Sequence, residues 1–229
     1  MEHVQYTNFR KKICLIFFLS ILNSILLQAQ SSIYKPGDII NIEGVNAIVY
    51  EVDESGTHGT AMSVKCLRAV KEMWCNDTKL GKLMPKTSNE SNGLSNTQCI
   101  IEFAKSKKAL SKFPVYEWCD NLGKDWYVPS LKELESFVNF WLGNEQEIDW
   151  DSEEEKEIDE STPYYKKINE AMINAGGIPF INGVFTSTVD DDGEVYVFWF
   201  NRQKHTWRFK KSSKTNLSKY YVGRAFHKF

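Results

Sequence analysis

The sequence lacks several features that would place it at once in a large class of proteins. No apolar run reaches the roughly 20 residues that a membrane-spanning helix needs, which excludes a polytopic membrane protein. Neither sign of charge dominates, since 28 Lys and Arg stand against 30 Asp and Glu. A dedicated nucleic-acid binder usually carries a strong basic excess, so we predict no nucleic-acid partner.

Motifs for catalysis and metal binding are also missing. The chain contains no G-x-S-x-G, P-loop or H-E-x-x-H sequence, and its four His residues show no metal-ligand spacing. No two cysteines have the C-x₂₋₄-C spacing of a structural zinc site. We therefore predict a non-catalytic protein with no cofactor and no metal. The alternative is an enzyme whose site is too dispersed to be seen in one sequence.

The composition is that of a folded domain. The chain is 42% hydrophobic and 25% charged, which is too apolar and too weakly charged for a disordered chain. Its 229 residues suffice for one domain of ordinary size, or for one domain with an extension.

The first thirty residues have the organisation of a secretory signal peptide. A basic cluster at 10–12 precedes a mostly apolar run from Ile13 to Leu27, and the small Ala29 stands where a signal peptidase would cut. A membrane anchor is the alternative, but fifteen residues are short for a span. We predict that residues 1–30 are removed and that the chain is exported to the periplasm, the outer surface or the medium. A single domain at 31–229, without a transmembrane segment, would remain.

Four cysteines belong to this predicted mature domain: Cys66, Cys75, Cys99 and Cys119. Export makes disulfides chemically possible, and four cysteines allow three pairings that sequence does not distinguish. The alternative is four thiols that behave as small hydrophobic side chains. We favour the thiols slightly, because a domain of this size folds on its core alone.

The order of predicted elements indicates an α+β fold. Val195 to Phe200 is apolar on both faces, as in a central buried strand. The predicted elements, in chain order, are hairpins over 37–68, a surface loop at 76–96, helices at 97–110 and 115–122, an extended segment at 126–128, a helix capped by Ser130 and Glu133, a helix from Pro163, and strands from Ile178 onward. We expect one mixed or antiparallel sheet that recruits both chain ends, with short helices between.

Two segments of opposite charge stand out. Residues 145–160 hold ten acids and one Lys, a block that predicts a solvated loop or frayed helix and that we interpret as an insertion. Residues 202–229 hold nine basic side chains and no acid. With Trp207, Tyr220 and Tyr221, this basic stretch could meet an anionic glycan or nucleic acid. Mixed surface charge is the simpler interpretation, and the asymmetry suggests that the two segments lie near each other.

One acidic run offers candidate ligand-binding residues. Asp190, Asp192 and Glu194 surround Gly193 and supply oxygen ligands of the kind that calcium uses. The run lacks the alternating ligands and the distant Glu of an EF-hand loop. A polar hairpin turn explains the same residues, and we favour the turn because Asp and Gly are ordinary turn residues.

The centre of the chain carries a motif with a known resemblance. The residues are Glu117-Trp118-Cys119, Leu122-Gly123, Asp125-Trp126-Tyr127-Val128-Pro129-Ser130 and Glu133-Leu134. They resemble the signature WC-x-x-LG-x-DWYLPS-x-x-EL of secreted bacterial domains of unknown function with a C-type-lectin-like fold, the Lcl C-terminal type. Weaker matches follow the family's order from Gly37 to the end: Gly37-Asp38-Ile39-Ile40, His58-Gly59, Ala175-Gly176-Gly177, Phe185-Thr186-Ser187-Thr188 and Val222-Gly223-Arg224-Ala225-Phe226.

The chain departs from this family pattern at several places. Val128 replaces the usual Leu, Phe185 replaces the usual Trp, and Gly223 is inserted before Arg224. The acidic block at 145–160 also looks like an insertion, which would alter any binding surface near it.

The resemblance implies a lectin-like fold and a role in binding a glycan or an envelope protein. Calcium-dependent sugar binding in C-type lectins uses a Trp-Asn-Asp strand, and the nearest string here, Trp199-Phe200-Asn201, lacks the acid. We therefore predict an exported, non-catalytic module of the cell envelope or surface that binds a glycan or a protein. Besides the dispersed enzyme, a structural accessory subunit of an envelope assembly is the other alternative.

Overall fold

The computed structural model describes residues 33–67, 74–143, 148, 150, 152, 154–159, 163–180, 183–201, 203–213 and 221–229. The predicted signal peptide at 1–30 lies outside these residues. From Tyr34 to Phe229 the chain forms one compact unit. Among the described residues, no helix combines the length and apolar character needed to cross a membrane.

The described part of the chain alternates from strands to helices and back to strands. The strands are β1 (Ile39–Ile42), β2 (Val45–Val52), β3 (Gly59–Ser63), β4 (Lys156–Glu157), β5 (Gly183–Val189), β6 (Glu194–Asn201), β7 (Thr206–Ser213), β8 (Tyr221–Val222) and β9 (Phe226–Lys228). The helices are α1 (Thr78–Leu83), α2 (Gly93–Ser106), α3 (Pro114–Leu122), α4 (Leu131–Leu142) and α5 (Pro163–Asn174), with a 3₁₀ turn at Leu110–Lys112. The fold is therefore α+β, as the order of sequence patterns predicted.

The first sheet joins the two ends of the domain. Its strand order is β1-β2-β3-β9, and every neighbouring pair is antiparallel. Glu43 and Gly44 connect β1 to β2 with φ angles of 51° and 89°, the left-handed backbone that a two-residue hairpin turn requires. Pairing of β9 with β3 confirms the expectation that sheet formation recruits both chain ends.

The expectation of a single sheet is wrong, because a second sheet is present with the order β4-β7-β6-β5-β8. Strand β6 is central in it, as predicted for Val195 to Phe200, and β5 with β8 is its parallel pair. The C-terminal stretch divides between the sheets, since Tyr221–Val222 pairs with β5 while Phe226–Lys228 pairs with β3. Three intervening residues are enough to change sheets, and no local pattern marks the change.

The helix predictions hold with shifts at the ends. Helix α4 begins at a complete capping box formed by Ser130 and Glu133, as predicted. Helix α2 starts four residues earlier than predicted, where the Asn92 side chain accepts a hydrogen bond from the Ser95 amide. The predicted loop at 76–96 is partly wrong, because it contains the short helix α1, capped by the Asp77 side chain.

The acidic block also differs from the expectation of a loop or frayed helix. Its residues Lys156–Glu157 form β4 and pair antiparallel with Trp207 and Thr206 of β7. The Thr206 hydroxyl donates to Glu155 over 2.7 Å. The described parts of the acidic and basic segments therefore lie side by side, and the Lys204 ammonium stands 3.8 Å from the Glu155 carboxylate.

Two hydrophobic cores fill the fold, and β6 contributes to both. Phe198 and Phe200 enter one core with Trp141 of α4, whereas Val195 and Val197 enter the other. The four cysteines differ in environment: Cys75 and Cys119 are buried, Cys66 is partly buried and Cys99 is exposed. Burial raises the pKa of the Cys119 thiol well above its ordinary value, so this thiol behaves as a small core side chain.

Candidate functional site

The second half of the signature, residues 126–130 with Glu133 and Leu134, is buried and holds elements together, whereas most of the first half is half-buried. One carboxylate oxygen of Glu133, Oε2, accepts hydrogen bonds from the Gly93 amide (3.0 Å), the Ser130 amide (2.9 Å) and the Ser130 hydroxyl (2.8 Å). The other oxygen, Oε1, accepts from the Tyr127 hydroxyl over 3.1 Å. Glu133 thus ties the N-termini of α2 and α4 to the segment before α4, and its negative charge suits both helix ends.

Gly93 shows how tight this junction is. A Cβ atom at this position would lie 2.5 Å from the Ser130 nitrogen and 2.6 Å from both the Val128 carbonyl oxygen and Glu133 Oε2. Only glycine lets the first turn of α2 approach so closely.

Arg224, from the C-terminal part of the resemblance, is likewise buried. Its guanidinium donates to the carbonyl oxygens of Val64 (2.8 Å), Ile178 (3.0 Å) and Pro179 (3.2 Å). Burial lowers the pKa of Arg224 to about 10, and the carbonyl groups offset part of this cost. Glu133 and Arg224 therefore stabilise the interior of the fold, and neither residue offers a binding surface by these contacts.

A groove between the β2–β3 hairpin and α4 is the best candidate surface. It consists of two adjoining hollows of about 460 and 720 Å³, which share Glu51 and Ser136. The smaller hollow is lined mainly by charged and polar side chains: Glu51, Asp53, His58, Thr60, Ser91, Lys132, Glu133, Ser136 and Lys228. Its charges are partly paired, since the Lys228 ammonium lies 3.4 Å from Glu133 and the Lys132 ammonium 3.2 Å from Glu135.

The larger hollow has an aromatic wall. Tyr164 is 48% exposed, and its ring meets the edge of Phe140 at a centroid distance of 6.2 Å. Gly143 ends α4 in the left-handed conformation and allows Tyr164 to pack there, because a Cβ on Gly143 would lie 2.9 Å from the Tyr164 Cβ. Asn139 and Pro36 complete this wall.

Tyr50 lines the larger hollow, next in sequence to Glu51, which both hollows share. The register of β2 against β3 shifts between Val49 and Glu51, and such a bulge redirects the side chains at that point. Tyr50 is 5% exposed, and its hydroxyl makes no hydrogen bond of acceptable geometry among the described residues. Burial, followed by the charges of Glu133 and Glu51, raises the pKa of Tyr50 well above its ordinary value, although Thr60 acts in the opposite direction. Tyr50 therefore lines the larger hollow with its ring, and its neutral hydroxyl is buried below the surface of the groove.

The acidic candidates from the sequence lie elsewhere, in the turn between β5 and β6. Asp190 shapes this turn, since its carboxylate accepts from the Glu194 amide over 2.8 Å and pairs with Lys211 at 3.5 Å. Asp191 faces Lys86 at 3.8 Å. Across the described residues, no three His, Cys, Asp or Glu side chains converge as a metal site would require. Ligand binding by Asp190, Asp192 and Glu194 stays a prediction.

Sequence reasoning missed the groove, although one signal for it exists. Ser136, Asn139, Phe140 and Gly143 follow the i, i+3, i+4, i+7 spacing of one helix face, and all four line the groove. The opposite wall comes from a strand more than 80 positions earlier, which no local pattern connects to α4.

Comparisons with known proteins add little to this description. No protein family and no curated protein matches the chain. Among solved structures, a fimbrial protein from Bacteroides ovatus ATCC 8483 is similar over 76% of this chain and 36% of its own length, with 17% identity and a TM-score of 0.42. The chain thus corresponds to about a third of that protein, and a likeness at this TM-score carries no argument about fold or function. The lectin-like resemblance rests on the motif residues alone.

Proposed function

We propose that this chain is an exported, non-catalytic binding module of the C-type-lectin-like, Lcl C-terminal type, and that its groove binds a glycan. The N-terminal pattern supports export, and the signature from Glu117 to Leu134 supports the family. The observation that carries the proposal is the groove itself, in which an exposed aromatic wall adjoins polar side chains.

The two halves of the groove match the two surfaces of a sugar. The apolar face of a pyranose ring packs on the exposed Tyr164 ring, which offers contact area at small entropic cost. Hydroxyl groups of the same sugar exchange hydrogen bonds with Asn139, Ser136 and Glu51. These are the few convergent polar groups expected in a largely preformed pocket.

A glycan array probed with the full chain, with and without calcium, tests the proposal. We expect binding to neutral glycans that calcium does not change, because no acidic cluster of the described residues reaches the groove as a metal site. If no glycan binds under either condition, the proposal that the chain binds glycans is wrong.

Point variants then locate the binding. Tyr164→Ala should weaken glycan binding about 5- to 150-fold, because stacking on an aromatic ring contributes about 1–3 kcal/mol. The matched control is Ile173→Ala, since Ile173 lies on the same helix and is 52% exposed but lies outside the groove. If the two variants lose glycan affinity equally, the ligand binds elsewhere on the surface and not in the groove.

A further inference from the structure

A second polar surface lies on the other sheet and shares no residue with the groove. We call it the cationic row; it consists of Trp199, Arg208, Lys210 and Tyr221. Trp199 of β6 lies opposite Arg208 of β7 in the strand register. The Lys210 ammonium stands 5.2 Å from the Trp199 ring centre and 5.9 Å from that of Tyr221, and the Arg208 guanidinium stands 5.7 Å from Trp199.

The row depends on a glycine in the neighbouring strand. Gly183 of β5 pairs with Tyr221 of β8, and a Cβ on Gly183 would lie 2.5 Å from the Tyr221 ring. Tyr221 can therefore lie against β5, where it is 3% exposed and helps to surround the Lys210 ammonium. The aromatic rings are thus fixed before any ligand arrives, which lowers the entropy lost on binding.

The Lys210 ammonium is held in an unfavourable setting. Burial lowers the pKa of Lys210, and the charge of Arg208 lowers it further. No described carboxylate pairs with Lys210. The rings of Trp199 and Tyr221 offset only part of this cost, since a cation over a ring gains about 0.5–2 kcal/mol. An anion placed against Lys210 and Arg208 would offset the rest of the free-energy cost of burying the Lys210 charge.

We propose that the cationic row is a second binding site and that it takes an acidic sugar, with the anionic group against Lys210 and Arg208 and the sugar ring against Trp199. Trp199, Arg208 and Lys210 are each partly exposed, so a ligand can reach all three. Arginine suits this role because its planar fork of donors matches the oxygens of a carboxylate or sulfate. Charge complementarity thus identifies the ligand class, and the site is independent of the groove.

Nucleic acid is the competing polyanion, and the charge distribution disfavours it. Nucleic-acid binders neutralise many phosphates along a broad basic surface. Here two cations stand in a row on a chain with a net charge of −2, and the acidic strand β4 pairs with the same strand β7 that carries them. A single charged sugar unit fits this small patch better than a phosphate backbone.

Binding of the full chain to four immobilised polymers tests the inference. The polymers are heparin, which is sulfated, polygalacturonate, which is carboxylated, dextran, which is neutral, and single-stranded DNA. We expect binding to heparin, polygalacturonate or both, weakened by added salt. The stronger of the two identifies the anionic group. Tighter binding to DNA than to either acidic polymer, or no binding to either acidic polymer, would overturn the proposal. Binding to dextran would report on the groove and not on the row.

Variants test whether the row itself is responsible. Lys210→Gln should weaken binding to the acidic polymer about tenfold, the loss of one charge-assisted hydrogen bond. The matched control is Lys107→Gln, because Lys107 also stands over a ring, 5.9 Å from the centre of Phe103, but on the exposed end of α2. An equal loss in both variants would overturn the assignment to this row. Should Lys210→Gln fail to fold, Arg208→Lys keeps the charge and should still reduce binding several-fold, whereas unchanged binding would count against the row.

Discussion

Glu133→Ala gives the sharpest test of how the signature maintains this fold. The substitution removes the acceptor of hydrogen bonds from the Gly93 amide, the Ser130 amide and hydroxyl, and the Tyr127 hydroxyl, all between 2.8 and 3.1 Å. It also removes the partner of the Lys228 ammonium at 3.4 Å. Four buried donors would lose their acceptor, and a cavity of carboxylate size would form between α2 and α4.

The expected cost follows from these contacts. A hydrogen bond to a charged group contributes about 1.5–3 kcal/mol, and buried donors left unpaired add their desolvation penalty. The contributions are not additive, because the donors share one carboxylate and its loss frees them together. We expect a loss of about 3–5 kcal/mol, the range found when a buried charge network is broken. Against a total stability of about 5–15 kcal/mol, this change leaves the domain marginal.

Urea unfolding followed by tryptophan fluorescence measures the effect, since the chain contains 7 Trp. With a slope of about 2 kcal/mol per molar urea, the midpoint should fall by about 2 M. Glu133→Gln keeps one acceptor oxygen and should cost roughly half as much.

The control lies two positions away on the same helix. Glu135 forms a surface pair with Lys132 at 3.2 Å, and Glu135→Ala should cost at most about 1 kcal/mol. If Glu133→Ala costs no more than Glu135→Ala, the Glu133 carboxylate does not hold the junction between α2 and α4 together.

Three further predictions address packing, ionisation and processing. Gly93→Ala should destabilise the domain by about 2–3 kcal/mol in urea unfolding, because the new Cβ meets backbone atoms that cannot move aside, whereas Ser95→Ala on the same helix should be nearly neutral. Burial raises the tyrosine pKa at four positions: Tyr50, Tyr116, Tyr127 and Tyr221. Their neutral forms are favoured in the fold, so stability is complete below about pH 10 and falls above it as the unfolded phenols ionise. Phenolate absorbance should then show these four tyrosines staying protonated until the protein unfolds, and ionisation of every tyrosine in the folded protein would refute this. In a bacterial host, the exported protein should begin just after Ala29 or Gln30 by N-terminal sequencing; an intact Met1 on exported protein would contradict the signal-peptide prediction.

Local signals predicted most of the helices and strands. Helix α4 was predictable because Ser130 and Glu133 are close in sequence and act on adjacent backbone groups. The hairpin between β5 and β6 was predictable for the same reason, since Asp190 and Gly193 close a turn within a few residues. The N-cap residue Asp77 is a local sequence signal for helix α1, but the polar composition around it favoured the prediction of a loop.

Properties that depend on distant partners were not predictable in the same way. The acidic block was expected to be a loop, because its composition shows repulsion but not the basic strand β7 that it pairs with. The candidate groove also needed the fold, since Glu51 and Ser136 meet across 85 positions of sequence. Gly183 and Tyr221 are likewise 38 positions apart, and the cationic row exists only because their strands are neighbours.

The sequence by itself determined the class of fold, the start of the capped helix α4, the predicted export signal and the motif that suggests a lectin-like family. These depend on composition, period and caps, whose interactions span a few residues. The tertiary structure decided that there are two sheets, that the signature Glu133 is an internal tie, and that the candidate surfaces are the groove and the cationic row. These depend on which distant residues become neighbours, because a carboxylate, a ring or a cation acquires its role only from what is packed against it.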